Sequence, residues 1–202
     1  MITVIDYKVG NIHSVMNALK HIGADATVSS DISDIRRADK LILPGVGAFP
    51  DAVVALRETR LFDEIIKECQ DGKPLLGICL GMQLLFEESL EFGKTKGLGL
   101  IPGCVVPIDA HGLKIPHMGW NSLTNHLEDK LIDGVREGDY VYFVHSFRAD
   151  TNDENIVSST FYGEKIPAIV KSPGLNVWGA QFHPEKSQDV GLKMFKNFAD
   201  IK

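Results

Sequence analysis

Short apolar runs alternate with helically spaced apolar residues through the first half of this 202-residue chain. Ile2 to Ile5 is an apolar run and predicts a strand. Ile12, Val15, Met16, Leu19 and Ile22 then share one helical face, closed by Gly23 as a C-terminal cap. Ala26 to Ser29 predicts a second strand and Leu41-Ile42-Leu43 a third, ended by Pro44-Gly45-Val46-Gly47. Helical patterns follow over Ala52 to Glu58 and Leu61 to Gln70, with Gly72 as the stop. Lys73-Pro74-Leu75-Leu76 is an apolar run entered through a proline and reads as a buried strand. Met82, Leu84, Leu85 and Phe86 lead into Glu87 and Glu88, which predicts a helix packed on one face. Strands alternating with helices imply a parallel sheet covered on both faces, with right-handed crossovers. In such sheets sites form beyond the carboxyl ends of the strands, where Cys79 and the Pro44–Gly47 loop both fall.

The second half has a different rhythm. Cys104 to Ile108, Tyr140 to Val144, Ile156 to Tyr162, Ala168 to Val170 and Val177 to Phe182 are short strand candidates separated by Gly, Pro, Asn and Asp. A final helix is expected from about Val190, with Met194, Phe195, Phe198 and Ile201 on one face. The expected fold class is α/β: a mostly parallel central sheet with flanking helices and an added antiparallel or mixed β region. No repeat, low-complexity tract or linker divides the chain, so one domain is expected over residues 1–202.

Charge and cysteine usage narrow the class. A formal charge of -6 argues against nucleic acid or an anionic membrane as the main partner. Met1 to Asp6 lacks the basic start and long apolar stretch of a signal peptide, and no apolar run reaches the length of a membrane span. The 3 cysteines, Cys69, Cys79 and Cys104, lie far apart without a Cys-x-x-Cys pair. That gives no support for structural zinc or a disulfide framework and fits a cytoplasmic, reducing setting.

Chemistry concentrates at Gly77-Ile78-Cys79-Leu80-Gly81. A cysteine between two glycines, at a strand-to-helix switch, has the pattern of a nucleophile elbow with sulfur in place of oxygen. The competing reading is a buried cysteine serving as a small hydrophobe. A nucleophile of this kind needs a base and a third group to orient the base. Of 7 histidines, His183 is placed best, between the apolar run Val177 to Phe182 and Pro184. Proline keeps the preceding residue extended, and residues two apart in an extended chain face the same side, which brings Glu185 to the ring. Taken alone, His-Pro-Glu could equally be a strand-end histidine beside a solvated carboxylate. The Pro44–Gly47 loop can offer backbone N–H donors to an oxyanion, together with the amide of Leu80. Rival motifs fail: there is no phosphate-binding Gly-x-x-x-x-Gly-Lys, and Pro50 stands where a dinucleotide loop needs glycine.

Three segments, Leu43 to Gly47, Gly77 to Gln83 and Gln181 to Glu185, together resemble the three signatures of the triad-type (class I) glutamine amidotransferases. Asp6 to Asn11, Pro116 to Asn121 and Tyr142 to Phe147 narrow the resemblance to the branch serving histidine biosynthesis, over nearly the whole chain. Asp6 to Asn11 and Pro116 to Asn121 argue against the glutaminases of vitamin B6 or GMP synthesis. A cysteine peptidase or general hydrolase with an elbow is a second competing reading, and a non-catalytic binding partner that kept the fold is a third, which an intact set of Cys79, His183 and Glu185 argues against. The resemblance implies a glutaminase using Cys79, His183 and Glu185, with Val46 and Leu80 as oxyanion donors. It implies that Gly47, Gln83, Ser146 and Phe147 hold glutamine, and that no cofactor or metal is needed. It also implies a heterodimer, in which ammonia passes to a cyclase/synthase subunit that makes imidazole glycerol phosphate and AICAR. Asn11, His117, Met118, Trp120, Asn121 and Lys186 are the expected docking residues.

Overall fold

The computed structural model describes residues 1–201. The first half is built from β1 (Ile2–Ile5), α1 (Ile12–His21), β2 (Ala26–Ser29), α2 (Ile32–Arg37), β3 (Lys40–Gly45), α3 (Phe49–Glu58), α4 (Leu61–Gln70), β4 (Leu75–Cys79) and α5 (Leu80–Gln83). The second adds β5 (Phe86–Ser89), β6 (Thr95–Lys96), β7 (Ile101–Pro107), β8 (His117–Ser122), β9 (Thr124–Asn125), β10 (Tyr140–His145), β11 (Phe147–Asp150), β12 (Ile156–Tyr162), β13 (Glu164–Lys171), β14 (Val177–Ala180) and α6 (Gln188–Asp200).

The main sheet has 8 strands in the order β2-β1-β3-β4-β14-β13-β12-β9. Its β2-to-β14 part is parallel, and from β14 to β9 the pairing is antiparallel. Two smaller sheets, β11-β7-β5-β6 and β10-β8, complete the added β region. Successive side chains on a strand face opposite sides. Leu41 and Leu43 of β3 therefore enter one core with α2, α3 and α4, while Ile42 enters the other with α1 and α6. On α6, Met194, Phe195 and Phe198 are fully buried, as their helical spacing predicts.

Three local expectations are corrected, and one helix is added. The helix after Cys79 is one turn, and Phe86 to Ser89 is a strand paired with β6 and β7. Met82, Leu84, Leu85 and Phe86 are all fully buried, so the segment has no solvent face around which an amphipathic helix could be built. α2 was not legible, because Ile35 is its one buried apolar residue; an Asp31 cap bonded to Ser33 N at 2.7 Å helps to start it. β3 runs on through Pro44 to Gly45, and β14 ends at Ala180 rather than Phe182.

Two close approaches fix where β4 can turn. A Cβ on Gly81 would lie 1.8 Å from Leu43 O, and one on Gly77 would lie 2.6 Å from Gly81 O. Only glycine allows the turn after β4 to fold back against β3 so closely.

Candidate active site

Cys79 is the last residue of β4 and carries φ 55, ψ -109, a strained conformation for a side chain of any size. Cys79 is buried, and at this bend it lines a pocket. Sγ lies 3.9 Å from Val144 O and 4.0 Å from Gln181 Nε2. The other two cysteines differ. Burial pushes the Cys69 thiol up to about 12, which leaves it inert at neutral pH. Cys104 sits on β7, in the second sheet.

β14 lies beside β4 in parallel register and delivers His183 three residues past its end. His183 is extended (φ -99, ψ 99), as its place before Pro184 requires. Its N–H donates to Tyr142 O at 2.9 Å, and Ser187 Oγ donates to its carbonyl at 2.7 Å. Its ring Nδ1 bonds Glu185 Oε1 at 2.8 Å, and the carboxylate behind it is almost wholly buried. Burial disfavours the charged ring, but the nearby Cys79 sulfur and the hydrogen-bonded Glu185 carboxylate outweigh it and raise the His183 pKa to about 9. In the resting geometry Nε2 nevertheless lacks a well-directed hydrogen-bond partner. The Cys79 contribution therefore acts through proximity and charge. Glu185 Oε2 is also buried without a partner.

A pocket of about 330 Å³ joins these elements. Cys79 and His183 line it with Val46, Gly47, Leu80, Gln83, Ser146 and Phe147, so the expected oxyanion and glutamine-binding residues all meet there. Glu185 stands behind His183 and outside the lining. Gln83 is buried rather than solvated: Nε2 donates to Phe147 O at 3.0 Å and to Gln181 Oε1 at 3.1 Å. A larger depression of about 900 Å³ lies between residues 125–135 and the end of α6, but no cysteine lines it. Its Asp129 is already engaged by Leu131 N, Trp178 Nε1 and Lys171.

Two pocket residues escaped the sequence reading. Glu91 is buried in the lining, with Oε2 accepting from Phe49 N at 2.8 Å. In sequence it is one of several glutamates after the elbow, and only its burial sets it apart. His145 also lines the pocket, and its Nδ1–H donates to Phe147 O at 2.8 Å. A carbonyl can only accept, which leaves Nε2 to accept from His117 Nδ1–H at 2.9 Å. His117 Nε2 in turn accepts from Asn121 Nδ2 at 3.3 Å. Burial holds both rings neutral, with His117 lowered to about 4 and His145 to about 3.

The expected docking residues divide. Met118 and Trp120 are exposed on β8, and Lys186 is exposed on the turn after His183. Trp120 packs edge-on to Tyr142, and Lys186 Nζ lies 5.7 Å from the same ring, so the three form one patch. Asn121 is partly exposed and donates to Phe161 O at 3.0 Å. Asn11 caps α1, accepting from Ser14 N at 3.4 Å, and α1 packs against the Pro184–Lys186 turn. His117 is the exception: it is 2% exposed, stacked between Phe143 and Tyr162, and does not reach the surface. Its strand alternates, which turns His117 inward where Met118 faces out.

Residues 3–201 match the family model described as glutamine amidotransferase class-I, and the chain belongs to that family. It is 50% identical over 202 residues to "Imidazole glycerol phosphate synthase subunit HisH" of Caldanaerobacter subterraneus subsp. tengcongensis, covering 100% of this chain and 98% of that relative. A Bacillus cereus (strain G9842) protein of the same name is 50% identical over 201 residues, covering 100% of this chain and 95% of that relative. Among solved structures, one titled "Crystal structure of glutamine amidotransferase" aligns with a TM-score of 0.77 at 21% identity, over 100% of both chains. The "Structure of PurLQS from Thermotoga maritima" aligns at 0.76 and 25% identity, covering 98% of this chain and 96% of that one.

Proposed function

We propose that this chain is the glutaminase subunit of an imidazole glycerol phosphate synthase, releasing ammonia from glutamine for a cyclase subunit in histidine biosynthesis. The observation that carries the reading is the strained Cys79 in one pocket with a His183 braced by Glu185 at 2.8 Å.

Glutamine enters with its side-chain amide at Cys79. Its α-ammonium group faces the Glu91 carboxylate, and Gly47, Gln83, Ser146 and Phe147 hold the rest. The Cys79 thiolate attacks the amide carbon, and the N–H groups of Val46 and Leu80 hold the resulting oxyanion. The C–N bond then breaks as His183 gives its proton to the departing nitrogen, leaving a glutamyl thioester and ammonia. Neutral His183 next takes a proton from water, and hydroxide attack on the thioester releases glutamate. Glu185 keeps the ring oriented and favours its charged form. A pKa raised to about 9 keeps the imidazolium present at neutral pH, ready for the first proton transfer.

Ammonia released into neutral water becomes ammonium, which has no lone pair for attack. A closed heterodimer preserves the nucleophile. The patch of Trp120, Tyr142 and Lys186, with Met118 exposed on the same strand as Trp120, supports docking of the synthase subunit there. No helix among the described residues is long and apolar enough to cross a membrane.

The test is product formation by the chain with a candidate synthase subunit, fed glutamine or an ammonium salt. Cys79→Ala should abolish the glutamine-driven reaction and spare the ammonium-driven one. Undiminished use of glutamine by Cys79→Ala would remove the nucleophile assignment. Cleavage of peptide substrates, releasing a new amino terminus, without release of ammonia from glutamine would favour a cysteine peptidase or general hydrolase.

A further inference from the structure

Tyr7 lies just beyond β1, in the segment 6–10 that leads to α1, and the reaction described above does not use it. Its side chain is fully buried. Its hydroxyl donates to Pro44 O at 2.8 Å. That carbonyl belongs to the peptide joining Pro44 to Gly45, and the next peptide along carries the N–H of Val46. Burial first, and the charge at Cys79 second, raise the Tyr7 pKa, so the group stays a hydroxyl and remains able to donate.

The packing around Gly45 ties this hydroxyl to the reacting centre. A Cβ at Gly45 would meet Tyr7 Oη at 2.7 Å, Gly81 N at 2.7 Å and Leu80 Cβ at 2.9 Å. Tyr7, the oxyanion loop and the first residues after the nucleophile are therefore in mutual contact. From the same segment, a Cβ at Gly10 would lie 3.4 Å from Pro44 Cβ and Cγ, so the chain after β1 is wrapped against that proline. Gly45 itself has no side chain to restrict rotation between the two peptides. Something must hold the first plane if the second is to point one way.

We propose that Tyr7 is a positioning residue for the oxyanion site: its hydroxyl fixes the Pro44–Gly45 peptide and thereby directs the Val46 N–H at the oxyanion. It touches neither substrate nor sulfur in this role. The inference rests on the glutaminase reading above.

Tyr7→Phe removes one oxygen and keeps the ring. In the complex with the synthase subunit, kcat for glutamine hydrolysis should fall about tenfold, the rate equivalent of one ordinary hydrogen bond. KM for glutamine should stay within about twofold, because the donor acts in the transition state and not on bound substrate. A second reaction separates positioning from general damage. Alkylation of Cys79 by iodoacetamide forms a carbon–sulfur bond with loss of iodide and builds no oxyanion. Its rate should match the wild type, as should ammonium-driven synthesis by the complex. Unchanged glutamine turnover in Tyr7→Phe, or alkylation falling in step with turnover, would overturn the proposal. A wild-type complex inactive on glutamine would overturn the glutaminase reading and this inference with it.

Discussion

Gly45 and Cys79 are register partners on the adjacent parallel strands β3 and β4. The relationship places the Pro44–Gly47 loop beside Cys79 through backbone pairing, and the direction of its peptides is left to the packing around Gly45. It holds only if the turn after β4 can fold against β3. Gly81→Ala, whose Cβ would lie 1.8 Å from Leu43 O, should therefore cost on the order of 3 kcal/mol or more in urea unfolding. Gly47→Ala has open space around its Cβ and bears only the strain of φ +94, about 1 kcal/mol. Equal losses from the two substitutions would contradict the close approach.

Glu185→Gln should lower turnover more than binding, because an amide cannot stabilise the imidazolium as a carboxylate does. The loss in analogous serine triads reaches roughly 10⁴-fold. It should also change the pH profile. His183 has a folded pKa raised to about 9, above the ordinary 6.5, so its stabilising charge is fully present below about 6.5 and is lost as pH rises towards 9. The alkaline limb of kcat should follow the same loss of imidazolium. In Glu185→Gln the limb should move to lower pH, which a turnover profile between pH 6 and 10 reads directly. A limb that stays in place would return Glu185 to a packing role.

The buried pair His117 and His145 titrates in the opposite sense. Both folded values, about 4 and about 3, lie below 6.5, so their contribution to stability is full above about pH 6.5 and falls as the pH drops. Each can cost up to about 1.4 kcal/mol per pH unit in that range. His117→Phe keeps a ring between Phe143 and Tyr162 but cannot titrate. Urea unfolding at pH 7 and pH 5 should show a smaller difference in His117→Phe than in the wild type. An unchanged difference would mean that the pair is not neutral in the folded protein.

Trp120→Ala tests the docking patch. Trp120 is 46% exposed and packed on Tyr142, so truncation should leave the free chain folded. A buried aromatic anchor contributes on the order of 2 kcal/mol to an interface, about thirtyfold in affinity. Glutaminase stimulation should then need correspondingly more synthase subunit to reach half its maximum, with activity of the free chain unchanged. An unaltered titration would place the interface elsewhere.

The strands and helices legible in the sequence are those with one buried face, such as α1, α4 and α6, or with a short apolar run closed by a turn, such as β1 and β4. α2 is hidden because one buried isoleucine makes no pattern, and the segment into β5 imitates a helix because an unbroken buried run through Phe86 carries no period. The grouping of Cys79, His183 and Glu185 is legible because glycine and proline mark backbone geometry: Gly77 and Gly81 the bend after β4, Pro184 the extended His183. The placement of Glu91 and Tyr7 is not, because it comes from burial against chain segments about forty residues away, at Phe49 and Pro44. His117 looked like a docking residue beside Trp120, and strand alternation turned it inward.

Covalent chemistry at Cys79 is the centre of the account, and intact-mass analysis of acid-quenched complex during glutamine turnover tests it most directly. The mass should rise by one glutamyl group, bound as a thioester, mapped by proteolysis to the peptide containing Cys79 and absent from Cys79→Ala. A glutamyl group on another residue, or steady glutamine hydrolysis by Cys79→Ala, would contradict it.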